Sequence, residues 1–145
     1  MKKYFAATLL LLSLAGINGC KKHHVLPTVP RPGWTVDTTG KYPVTMTAVV
    51  QVPSPLLTYV VNDDELGAFV GNECRGTARL IKLNTSQVFF ILIHGTASEQ
   101  GKISFKYYSA WSSHLYETGA SLNFIVDGNY GTVDSPEILE LHPAK

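Results

Sequence analysis

This chain of 145 residues has little cysteine, no long apolar run and no surplus of charge, and each shortage excludes something. Two cysteines, Cys20 and Cys74, rule out a disulfide scaffold of the kind that staples small secreted domains. The most apolar stretch, Phe5 to Gly16, is too short for a membrane helix, which needs about 20 apolar residues. Twelve Lys and Arg face eleven Asp and Glu, so no basic surface for nucleic acid is expected. No stretch beyond Trp34 repeats at the helical period, so helices are not expected to build the core. Motifs for phosphate binding, zinc hydrolysis or a nucleophile elbow are missing as well. Catalytic carboxylates meet in space rather than in sequence, so spacing alone leaves acid–base pairs open.

What is present begins with a three-part N-terminus. Lys2 and Lys3 are followed by an uncharged segment containing Leu9-Leu10-Leu11-Leu12, and then by Ile17-Asn18-Gly19-Cys20. A positive start, an apolar stretch of about 7–15 residues and small residues at the end form the secretory pattern. With an aliphatic residue at 17, glycine at 19 and cysteine at 20, the segment resembles the bacterial lipobox. That resemblance implies diacylglycerol on the Cys20 sulfur, cleavage before Cys20 and acylation of the new amine. It implies a lipid-anchored envelope protein with a membrane as partner. The absence of Asp directly after Cys20 points to the outer membrane of a Gram-negative bacterium. Lys21 and Lys22 can then sit against anionic headgroups, at about 1 kcal/mol each.

Removing residues 1–19 takes away Lys2 and Lys3 and no acid, leaving ten basic against eleven acidic side chains. If Cys20 carries lipid, Cys74 is the remaining thiol, and core packing must hold the domain without an internal disulfide. A lone cysteine of this kind can pair between chains or react, and more commonly packs as a small hydrophobe. Residues 20–34 read as a lipidated, flexible tether. Pro27, Pro30 and Pro32 bias it to extended polyproline-like conformations of about 3.1 Å per residue. His23 and His24 within it can bind metal, but without further ligands beside them they read as a solvated polar pair.

Residues 35–145 read as one all-β domain. Val44, Met46, Ala48, Val50 and Val52 alternate with more polar neighbours, the mark of a half-buried strand. Leu56 to Val61 reads as a short strand or an extended loop. Gly71-Asn72 lies between two β-prone arms, a two-residue hairpin signal in which both residues tolerate positive φ. On the second arm Cys74, Gly76, Ala78 and Leu80 share one face, and Glu73, Arg75, Thr77 and Arg79 the other. Gln87 to Gly95 is continuously apolar from Val88 to Ile93 and reads as a central strand covered on both faces. Lys102 to Tyr108, Leu115-Tyr116, Leu122 to Val126 and Glu137 to Leu141 complete the set. Seven to eight short strands with closely spaced turns predict an antiparallel β-sandwich, Ig-like or jelly-roll-like.

Four pieces, in this order, add a resemblance: Asp63-Asp64-Glu65, the hairpin Ala68 to Gly76, the strand Ile103 to Tyr108, and Gly131 to Pro136. Over roughly residues 42–141 the sequence resembles uncharacterised β-sandwich modules of secreted and surface proteins of the Bacteroidota. The resemblance implies a β-sandwich on an envelope or secreted protein and carries over no catalytic residue.

Candidate sites follow from side-chain chemistry. Trp34, Tyr108, Trp111 and Tyr130 lie outside the obvious core positions, as does Tyr116. Exposed aromatic faces can stack on sugar rings or anchor a protein; capping the ends of the sandwich explains them equally well. Asp63, Asp64 and Glu65 are the densest oxygen set, and Asp127, Asn129 and Asp134 a weaker one; either can be a Ca²⁺ site or a solvated loop. Glu73 and Arg75 can pair, and a buried Arg75 can tie loops together through its fork. The reading is therefore a non-enzymatic glycan- or protein-binding module with no cofactor, the alternative being a structural component of an envelope complex.

Overall fold

The structure, a computed structural model, describes residues 25–84 and 86–145. The signal segment, Cys20 and Lys21 to His24 lie outside the described residues. Ten strands form one mixed, curled sheet: β1 (Val44–Gln51), β2 (Glu65–Val70), β3 (Glu73–Lys82), β4 (Gln87–Gly95), β5 (Lys102–Ser109), β6 (His114–Thr118), β7 (Leu122–Asn123), β8 (Asn129–Tyr130), β9 (Glu137–Ile138) and β10 (Leu141–Pro143). The sheet order is β10-β6-β5-β2-β3-β4-β1-β8, with β7 on β5 and β9 on β1. The expectation of an all-β protein is met, and the one helix among the described residues, α1 (Ser54–Leu57), is a single turn with proline at its start. That turn stands where a strand or extended loop is expected from Leu56. The purely antiparallel expectation needs correction. β8 and β9 run parallel to β1, at the far edge of the sheet from β6 and β10.

The sheet curls into a half-barrel because β3 changes partners. Its first part, Glu73 to Arg79, pairs with β2, and its last part, Leu80 to Lys82, pairs with β4. The hairpin turn falls at Gly71-Asn72 as expected, with Gly71 alone taking positive φ (60°). Ala68 faces Gly76 while Phe69 faces Cys74, so the ladder skips Arg75 and forms a bulge there. A bulge bends its strand and increases local twist.

The concave interior holds the core. Met46, Ala48 and Val50 of β1, Phe89, Ile91 and Ile93 of β4, Leu66 and Ala68 of β2, and Ile103, Phe105 and Tyr107 of β5 are all buried in one cluster. Phe89 and Tyr107 meet edge to face across it, with ring centroids 5.9 Å apart. These are the alternate residues that the period-two pattern assigns inward.

The outer face differs from expectation in two ways. First, Phe90 and Leu92 are 47% and 43% exposed, so the outer face of β4 is open along its middle, while Val88 on the same face is buried. A continuous apolar run does not itself say how many faces are covered. Second, residues expected to form a tether through Trp34 lie as a strap across the outer face of β2, β5 and β6. The Val29 N–H donates to the Ser113 carbonyl (2.8 Å) and Arg31 Nε to Glu65 Oε1 (2.7 Å). Trp34 meets Phe69 edge to face at 5.4 Å. Glycine is required beneath it: a Cβ on Gly67 would lie 2.7 Å from Phe69 Cε2 and 2.8 Å from Trp34 Cε3. Gly67→Ala should therefore lift the strap and cost about 1–3 kcal/mol, as overpacking does. A red-shifted tryptophan emission with faster proteolysis between Arg31 and Tyr42 is the expected readout; unchanged emission and cleavage would show that the strap does not rest on Gly67.

Candidate functional site

Two features of the described residues have the geometry of contact sites, and the acidic segment before β2 supports one of them. Asp64 is completely buried. Its Oδ2 accepts the Tyr107 hydroxyl (2.6 Å) and the Val61 N–H (3.0 Å), and its Oδ1 accepts the Ala110 N–H (2.7 Å). Burial, followed by the bond to Asp64, pushes the Tyr107 phenol well above its ordinary range, so it remains a donor. Glu65, also buried, is gripped by Arg31 and by Arg79, each at 2.7 Å. The Asp63 carbonyl accepts from both guanidiniums, at 3.3 and 3.4 Å. Asp64 and Glu65 thus spend their carboxyl groups on protein donors, and no cluster of three acidic, His or Cys side chains suited to a metal occurs among the described residues. In the late loop, Asp127 and Gly128 instead dock by backbone: the Asp127 N–H donates to the Thr45 carbonyl and the Thr47 N–H to the Gly128 carbonyl.

Asp64 holds two loops at one end of the domain. Val61 follows Tyr59 by two residues, and Ala110 immediately precedes Trp111. Tyr59 and Trp111 stack there, with centroids 4.5 Å apart and planes at 27°. They remain 46% and 63% exposed. An exposed aromatic pair mounted on a buried, fully bonded carboxyl is a rigid contact surface.

The second feature is a cavity of about 230 Å³ in the trough of the half-barrel. Phe105, Leu122 and Tyr130 supply its apolar wall, and Thr118, Ser121 and Glu140 its polar one. Tyr130 lies nearly parallel to Phe105, at 17° and 6.4 Å. Burial, and then the charge of Glu137, raises the Tyr130 phenol, which keeps its proton at neutral pH. The Thr118 hydroxyl is already engaged, accepting the Phe105 N–H (2.9 Å). Ser121 and Glu140 are exposed.

The four aromatics singled out in the sequence therefore go to four places. Trp34 packs on Phe69, Tyr130 lines the trough, and Trp111 stands exposed on Tyr59. Tyr108 points outward from β5 opposite Glu65 and Leu115 and is buried, so it offers no open face. Tyr59, Thr118 and Glu140 escape sequence reasoning, since nothing local distinguishes them from ordinary loop and edge residues.

Arg75 organises the other end of the hairpin. Its guanidinium is buried 3.4 Å above the Tyr42 ring centroid. It donates to Glu99 Oε2 (2.9 Å), to Glu73 Oε2 (3.3 Å) and to the His94 carbonyl (3.4 Å), while Nε has no partner among the described residues. Glu73 also accepts Lys41 (2.7 Å) and the Tyr42 hydroxyl. Arg75 thus ties the residues just before β1, the hairpin and the β4–β5 loop together. Cys74, beside it, is half-buried with its Sγ 3.4 Å from the Gly76 carbonyl, and burial raises its thiol.

Among the described residues no helix is long and apolar enough to cross a membrane. Comparison of the sequence and fold with family models, curated proteins and solved structures returned no match. Fold and geometry together define an all-β domain with one small trough and one exposed aromatic pair.

Proposed function

We propose that this is a lipid-anchored protein of the cell envelope, attached through Cys20 to the outer membrane of a Gram-negative bacterium, whose domain binds a sugar ring of an envelope glycan without enzymatic chemistry. The observation that carries the glycan reading is the trough. A cavity of about 230 Å³ lined by Tyr130 beside the exposed oxygens of Ser121 and Glu140 is small, half apolar and half polar. A sugar ring has the same division, with C–H faces for an aromatic ring and hydroxyls for a carboxylate and a serine. The finer fold assignment belongs to the same reading: the domain is a variant of the β-sandwich modules it resembles. The support is that β4 and β5 face each other across one core through Phe89 and Tyr107.

A glycan-array screen tests the function. The protein should bind a defined set of sugars, and Tyr130→Ala should weaken that binding about tenfold or more, in line with 1–3 kcal/mol for a stacked ring. No binding to any glycan, with circular dichroism showing a folded domain, would remove the reading. A structural role in an envelope complex then takes its place. One observation favours that second reading: Ile81, Phe90 and Leu92 are exposed together on the outer face of β3 and β4, where a protein partner would cover them.

A further inference from the structure

The strap enters the domain beside the exposed aromatic pair. Val29 donates its N–H to the carbonyl of Ser113, two residues beyond Trp111 in the same turn. Leu26 and Pro27 share a small cavity with His114, Leu115 and Lys145, so Lys145 lies at this end too. Val29 stands only nine positions beyond Cys20. Fully extended at about 3.3–3.6 Å per residue, that segment reaches roughly 30 Å at most. A lipid on Cys20 would therefore keep this end of the domain, the one where the chain enters, within about 30 Å of the membrane.

The chemistry of that end fits a lipid surface. Trp111 and Tyr59 are exposed as a stacked pair, and tryptophan and tyrosine favour the headgroup level, where an apolar body and a polar edge are both satisfied. Lys145 is exposed here, and Lys21 and Lys22 follow the anchor directly, so the cations nearest the membrane suit anionic headgroups. Asp64 fixes both aromatic loops, so the pair is presented rather than free to fold away. The trough lies further along: Phe105 and Thr118 sit four residues from Ser109 and His114, about 13 Å along β5 and β6.

We propose that the Tyr59–Trp111 end of the domain docks on the bilayer surface holding the Cys20 lipid, with both rings at headgroup level and the trough facing away. This inference rests on the lipid-anchor reading. The test uses the full lipidated protein purified from its membranes and reconstituted into phosphatidylethanolamine–phosphatidylglycerol vesicles, with or without brominated acyl chains. Trp34→Phe leaves Trp111 as the single tryptophan, and the unaltered protein is measured in parallel. Docking predicts a blue-shifted Trp111 emission that falls roughly twofold in brominated vesicles and is shielded from iodide, as expected of a ring at the interface. Co-sedimentation with equal emission in both vesicle types and free access to iodide would overturn the docking and leave the anchor standing. Failure to co-sediment would overturn the anchor reading and the docking with it. Protection from iodide only on adding soluble polysaccharide or envelope protein would assign the pair to that partner and overturn the proposal.

Discussion

Asp64→Ala should cost the domain about 4 kcal/mol or more, out of the roughly 5–15 kcal/mol typical of a domain this size. The reason is the number of donors left behind. The Tyr107 hydroxyl and the N–H groups of Val61 and Ala110 all point at one fully buried carboxyl group. Each buried donor left without an acceptor costs about 1–3 kcal/mol, and a site closed to solvent has no water shell to replace the carboxyl. Asp64→Asn keeps the shape but not the chemistry. Its oxygen can serve one side, while its amide nitrogen meets another N–H, so about half the loss should remain. Tyr107→Phe removes a single bond and should cost about 1 kcal/mol. Urea titration of the three variants gives the order Ala, Asn, Phe from most to least damaging. In the Ala variant the two aromatic loops lose their common mount, so Trp111 emission should change before global unfolding. Equal midpoints for Asp64→Ala and the unaltered protein would mean that these bonds contribute nothing.

Arg75→Met should be the second large effect, at about 3 kcal/mol. Methionine fills much of the space but leaves Glu99, whose side chain is only 11% exposed, without its cation. Removing one partner of a buried pair leaves an uncompensated charge, and the stack on Tyr42 is lost as well. Arg75→Lys should recover part of the charge and none of the fork. The loss should depend on pH. Burial raises the Glu99 carboxyl, but the Gly101 N–H and Arg75 outweigh it and hold the group below its ordinary value. Glu73, held by Lys41 first and Tyr42 next, is lowered from 4.5 to about 2. A carboxyl lowered in the folded state contributes stability above its unfolded pKa and loses it as pH falls through the folded one. The unaltered domain should therefore lose this contribution between pH 4.5 and about 2. Arg75→Met forfeits the Glu99 share beforehand, so the two stability curves should converge on acidification. Parallel curves from pH 7 to 2 would contradict the pairing.

Much of the fold is legible in the sequence because strands carry their own period. Ile103, Phe105 and Tyr107, or Met46, Ala48 and Val50, announce an inward face by spacing alone, and Gly71-Asn72 announces the hairpin. What is not legible depends on distant partners. Pro27, Pro30 and Pro32 mark an extended segment, but extension says nothing of whether it hangs free or lies on a sheet. Arg31 finds Glu65 and Trp34 finds Gly67 across more than thirty residues. The acidic triplet shows the same limit. In sequence it is one cluster of oxygens, whereas in space Asp64, just before β2, faces inward to Tyr107 and Glu65, the first residue of β2, faces outward to two arginines. The trough is assembled from β5, β6 and the segments flanking β7 to β9, so Tyr130 is visible as a candidate in the sequence and its companions are not.

The proposed function and the docking geometry both begin at Cys20, and the most direct measurement is metabolic labelling with radioactive palmitate in cells producing either the unaltered protein or Cys20→Ser. The unaltered protein should carry label, be recovered with membranes and be cut before residue 20. Cys20→Ser should be unlabelled and keep its signal segment. Label persisting on Cys20→Ser, or an unaltered protein that is unlabelled and released from membranes, would contradict the lipid anchor.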